Sequence, residues 1–217
     1  VVTLLLEQPE TTPADTAPGR ATAPNQRSPS YRGALAPFRW VAAHRVMHRQ
    51  VAESVTVYDC VRFVFVCDGS IVLRGDAEPR PVSSGDVVLV TTGVAFGWEP
   101  EGRTVVTTVP LDTGYLLGVF FWQHLEHAAD LADAAELAAR MYPDPIQVLR
   151  LGEPAVERLG PVLDDLTALT AELPEAAGFF RLQSLVDEVL SAIAPHIRTA
   201  PGVQWPVSLG PRARVPR

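Results

Sequence analysis

The sequence predicts an α+β chain, an antiparallel β-barrel of jelly-roll type followed by an α-helical hairpin. Three observations predict it. Short β-branched runs alternate with glycine turns between residues 38 and 121. Within them, Gly85 to Glu99 (GDVVLVTTGVAFGWE) reads turn, strand, turn, strand: Val87 to Val90 are apolar, Thr91 closes the run, and Phe96 to Trp98 begin the next one after Gly93. Finally, apolar residues recur at three- and four-residue steps over 159–197, in two blocks separated by Pro174. Short strands at regular intervals argue for a barrel or sandwich and against a parallel α/β sheet.

In chain order, residues 1–33 carry prolines at 9, 13, 18, 24 and 29 among Thr, Ala and Ser. This is the composition of a disordered arm. The barrel is expected over 34–121. Residues 38–51 supply its first strand or strands, Cys60 to Cys67 the next, and Ile71 to Arg74 another after Gly69. Gly75 to Pro81 reads as a polar turn. The Gly85–Glu99 stretch follows, then strands at Arg103–Pro110 and Tyr115–Phe121. From 122 to 198 the pattern is helical. Trp122 to Leu131 forms one helix, and Asp133 with Glu136 suggests a capping box that starts a second, ending near Tyr142 before Pro143 and Pro145. Ile146 to Leu151 alternates like a strand. Pro154 suits a helix start, and Gly160-Pro161 suggests a kink or a later start. Leu159, Leu163, Leu166, Leu169 and Leu173 form one stripe; Phe179, Leu182, Val186, Val189, Ile193 and Ile197 form a second. Two amphipathic helices joined by a tight turn make an antiparallel hairpin. Residues 199–217 read as a linker-like tail.

The composition excludes several functions. The chain has 217 residues, 47% of them hydrophobic, which suits one medium domain or two small ones with a substantial core. All 18 basic residues are arginine, against 25 acids, for a net charge of −7. An acidic chain repels phosphate backbones unless it carries a local basic patch. The span 121–198 holds thirteen acids and five arginines, which makes it a poor DNA-binding surface. The absence of lysine and the wealth of Ala, Val and Pro fit a GC-rich genome. Cys60 and Cys67 fall on one expected strand, roughly 23 Å apart, too far to bridge, and read as small hydrophobes in a reducing compartment. No apolar run approaches the roughly 18 residues of a spanning helix, and Val1 to Leu6 is too short for a signal-peptide core. A cytoplasmic location with no membrane partner is therefore expected.

The spacing of Gly85, Thr91, Gly93 and Phe96 resembles the second motif of the cupin barrel, with Thr91 in place of a proline and Phe96 in place of a metal-binding histidine. Phenylalanine has no lone pair for a metal. A cupin-like barrel followed by an acidic helical hairpin in turn resembles the sensor half of AraC-type transcription regulators. The run VFFWQHLEHAADLADAAELAARMYPDPIQVLRLG looks like an actinobacterial branch of that family, and the resemblance spans roughly 38–200. It implies a barrel that binds a small-molecule effector, a hairpin that forms a homodimer, and a linker to helix-turn-helix units. No helix-turn-helix pattern follows the linker-like tail, so DNA contact is expected only through a missing C-terminal domain. Two alternatives are a free-standing cupin without metal that binds a small molecule, and a truncated partner that heterodimerises with full-length regulators.

The candidate ligand site comes from barrel positions. Phe63 and Phe65 share one strand face, and Phe96 and Trp98 another; together they either enclose an aromatic cavity or fill a small barrel. By the resemblance, Phe96 and Trp98 line the pocket, and their apolar character disfavours a strongly hydrogen-bonding sugar. His48 or Arg49 on the first strand would add a polar contact. Leu182, Val186, Val189 and Ile193 are the expected dimer interface. No metal is expected. His44 and His48 lie about 13 Å apart on a strand. His124 and His127, next to Glu126, have no third ligand and read as surface or cap residues. With no nucleophile motif or phosphate loop, no enzyme activity and no cofactor are expected.

Overall fold

Val61–Asp68 (β3) and Asp86–Val90 (β6) are buried along almost their whole length, because their sheet is covered on both faces. By contrast, Ser70–Gly75 (β4) alternates, with Ile71 and Leu73 buried and Arg74 exposed. The computed structural model describes residues 40–48, 53–75, 78–171 and 176–201. The Pro-rich arm over 1–33, Arg49 and the tail beyond 201 lie outside the described residues.

The remaining strands are His44–His48 (β1), Glu53–Val57 (β2), Arg80–Ser83 (β5), Ala95–Pro100 (β7), Thr104–Leu111 (β8) and Ile146–Arg150 (β9). They form two antiparallel sheets, ordered β1-β8-β3-β6-β9 and β2-β7-β4-β5. The first eight strands have the interleaved order of a jelly roll, closing face to face. The ninth, from within the helical half of the sequence, extends the first sheet beside β6, with Leu89 opposite Gln147. Between the sheets lies a core of Val64, Val66, Ile71, Val88, Phe96 and Trp98.

Among the described residues four helices follow: Thr113–Gln123 (α1), Leu131–Met141 (α2), Glu153–Ala171 (α3) and Ala176–Ile193 (α4), with a 3-10 turn at Ala194–His196. The hairpin α3–α4 packs on the outer face of the first sheet. There Leu163, Leu166, Leu185 and Val186 join Phe65 and Leu149 in a second core. Thr170 ties α3 to the barrel, accepting from the Ala43 N–H at 3.0 Å. α3 starts with Pro154 in its first turn, as expected, and runs through Pro161 without a late start.

Three local expectations are corrected. Tyr115–Phe121 is helix, within α1, not strand. Its consecutive apolar residues fit either period, and Asp112 decides by capping the Tyr115 N–H at 2.8 Å. The neighbouring strand β8 already has β1 and β3 on its two sides. Trp122–Leu131 is not a helix: α1 ends at Gln123, and the chain turns before α2. The N-cap of α2 is Asp130, not Asp133. Its carboxylate accepts from the N–H groups of Ala132 and Asp133, at 2.8 and 2.9 Å, while Asp133 reaches back to the Ala129 N–H at 3.0 Å. Asp130→Ala is expected to cost about 1 kcal/mol of stability, measured by denaturant unfolding.

Candidate functional site

Among the described residues, those between the two sheets pack into a buried core. Phe96 and Trp98 are 0% and 2% exposed, and the His48 ring meets Trp98 edge-on at 4.4 Å between centroids. Phe63 and Phe65 do not join them. Residues 61, 63 and 65 face the helices, while 64 and 66 face the barrel interior, so the sheet separates the two aromatic pairs. The single aromatic cavity expected from these four residues is therefore not formed. Leu182, Val186, Val189 and Ile193 are at most 2% exposed and sit in the core shared by the hairpin and its own barrel.

A cavity of about 510 Å³ lies elsewhere, between the outer face of the first sheet and the helices. This is within the usual range for small-molecule sites. Its sheet side is Val61, Phe63, Leu89, Thr91 and Gln147; α1 covers it with Leu116, Leu117 and Phe120. Ala138 and Tyr142 close the α2 side, and Leu190 and Ile197 the end of α4. Exposed Gln123, Asp144, Asp187 and Ser191 rim the mouth. Among the described candidate ligand residues from the sequence, Phe63 alone lines it.

Local structure places the polar groups. Thr91 ends β6, and its N–H donates to the Pro145 carbonyl at 2.9 Å, beside Asp144. Thr91 is 4% exposed, and its hydroxyl has no hydrogen-bond partner among the described residues. Gln147 grips the chain after α4: its amide donates to the Arg198 carbonyl at 3.1 Å and accepts from the Arg198 N–H at 2.8 Å. Arg198 also lies 3.7 Å from Asp144. Burial holds the Tyr142 phenol above its ordinary range, so it stays a neutral donor. Tyr115 is pushed up to about 12, chiefly by burial and then by the Asp187 charge. His124 packs on Phe120 at 4.2 Å, and burial, with the neighbouring His127, holds it below its usual value. Both Cys60 and Cys67 are free thiols; Cys60 is buried, and burial pushes it up to about 11.

Among the described residues no three His, Cys, Asp or Glu side chains gather as a metal site would require, and no helix is long and apolar enough to cross a membrane. The site consists of hydrophobic walls and a few polar groups, suited to holding a small molecule.

The two sheets and the helices that follow define a cupin-like jelly-roll barrel with an α-helical hairpin, in the α+β class. An apo point variant of ToxT from Vibrio cholerae strain SCE256 shares this fold at TM-score 0.50 and 8% identity, over 72% of this chain and 56% of that one. A second ToxT structure from Vibrio cholerae gives TM-score 0.47 and 7% identity, over 78% of this chain. The chain spans 61% of its length. An RmlC-like cupin from Shewanella frigidimarina NCIMB 400 aligns over 34% of this chain and 67% of its own, at 14% identity and TM-score 0.32. No family model matches the chain, and no curated protein matches it.

The sequence marked Thr91 only as a departure from a motif. Leu190 lies off the stripe read for α4, and it lines the cavity. Leu116, Leu117 and Phe120 were hidden by the strand expectation for α1. Asp144, Gln147 and Asp187 carried no local signal.

Proposed function

We propose that this chain is the effector-sensing domain of an AraC-type transcription regulator, with no enzymatic role, and that its effector occupies the cavity outside the barrel. The cavity of about 510 Å³ between sheet and helices carries this reading. The order of barrel and helical hairpin supports it, as does the fold shared with ToxT. Phe96 and Trp98 belong to the packed core between the sheets, and the cavity lies on the other face of the first sheet. Gln147 connects that site to the outgoing chain, because it lines the cavity and holds Arg198.

The test is a small-molecule panel read by thermal shift. Compounds that stabilise the 217-residue chain are expected to lose their effect in Leu117→Trp, which fills the cavity from α1. A shift that persists in that variant would move the ligand elsewhere.

The regulator reading includes a homodimer. The enclosed stripe of α4 leaves its exposed part for a second copy: Phe180 is 68% exposed and Phe179 40%. Phe180→Asp is expected to halve the mass seen by light scattering, with an unchanged circular dichroism spectrum. A dimer that survives the change would place the contact on another face.

A further inference from the structure

We infer that the cavity takes an apolar amine, with a hydrophobic or aromatic body inside and a protonated nitrogen at the mouth. The inference rests on the sensor reading above and names the ligand class of that site.

Charge is the first observation. Among the described residues, the charged ones lining the cavity are Asp144 and Asp187, with no arginine or histidine. Arg198 offsets Asp144 from outside the lining, at 3.7 Å. Asp187 has no ion-pair partner among the described residues, and its field reaches Tyr115. An anionic ligand would bring like charge to a mouth rimmed by exposed carboxylates, where water weakens the repulsion without removing it. A cation would find opposite charge there.

The second observation is independent of charge. Thr91 is 4% exposed, lines the cavity, and has a hydroxyl with no hydrogen-bond partner among the described residues. An unpaired buried polar group is costly and is rare in native proteins. A ligand polar group that donates to the Thr91 hydroxyl or accepts from it removes that cost on binding. The Thr91 N–H bond to the Pro145 carbonyl holds the Thr91 backbone beside the residue that follows Asp144, and both Thr91 and Asp144 line the cavity. An ammonium group can donate to Thr91 Oγ1 and carries the charge that the acidic lining favours.

The experiment compares three probes of one shape on the full chain by isothermal titration: naphthylmethylamine, naphthylmethanol and naphthoate. The amine is expected to bind about tenfold more tightly than naphthoate. Asp187→Asn is expected to weaken the amine about fivefold and leave the alcohol unchanged. Thr91→Val is expected to weaken the amine while the unliganded protein melts no lower, since the lost hydroxyl had no partner. Naphthoate binding as tightly as the amine, or an Asp187→Asn variant with undiminished amine affinity, overturns the ligand class; the cavity reading survives if binding still disappears in Leu117→Trp. Absence of binding by all three probes, or equal binding in wild type, Leu117→Trp and Ser191→Trp, overturns the cavity reading as well.

Discussion

Gly85→Ala is expected to be among the most damaging single-atom changes in the chain, lowering stability by roughly 3 kcal/mol or more. Gly85 has φ +88°, a conformation that residues with a Cβ rarely adopt. Space is the larger obstacle. An added Cβ would lie 2.3 Å from the Glu153 nitrogen and 2.6 Å from the Gly152 carbonyl carbon. Both are backbone atoms, so no side chain can rotate away. The contact is held from both sides, by the Gly85 N–H to Val66 at 3.0 Å and the Gly152 N–H to Gly85 at 2.9 Å. Moving it would disturb the β6 turn and the start of α3 together. Asp86 adds to the same joint, accepting from the Ser83 N–H at 3.0 Å and pairing with Arg150 of β9. Denaturant unfolding followed by circular dichroism measures the effect. A loss below about 1 kcal/mol would mean that the turn relaxes freely.

Val186→Asp is expected to unfold the domain, with no soluble folded monomer produced. The position lies on the stripe that reads, in sequence, as a dimer interface, where an aspartate would separate two copies. In the structure Val186 is 1% exposed and belongs to the core between the hairpin and the barrel. A carboxylate there must either remain ionised without a partner or take up a proton, and the valine contacts are lost in both cases. The two losses together cost roughly 6 kcal/mol, comparable to the whole stability of a marginal domain. Loss of the cooperative thermal transition checks it. The contrast with Phe180→Asp is informative because both changes add one aspartate to α4. One falls in the core and the other at an exposed position.

The elements with a strict local signal were legible. The Gly85 and Gly93 turns punctuate β6 and β7, and both glycines have positive φ. The α3 and α4 stripes gave two helices within a few residues of their ends, and Ile146–Leu151 gave β9. Legibility failed where the period was ambiguous. Tyr115–Phe121 is apolar at every position, so only the Asp112 cap distinguishes helix from strand. For the candidate site, sequence named Phe63 and missed most of the other groups. Alternation along β3 places Phe63 and Phe65 on one face, but nothing local says whether that face looks into the barrel or toward the helices.

By itself, the sequence determined a barrel of short strands, a helical hairpin and a net acidic charge. These depend on periods, caps, turn residues and side-chain chemistry, all of which act within a few positions of one another. Only the tertiary structure decided that the hairpin covers its own barrel, that Phe96 and Trp98 fill the interior, and that the cavity opens on the opposite face of the sheet. The physical reason is that burial is non-directional. An apolar stripe is stabilised about equally by any apolar surface that excludes water, whether in its own chain or in another copy. Which surface it meets is set by contacts between residues far apart in the chain, such as Ala43 with Thr170 and Gln147 with Arg198.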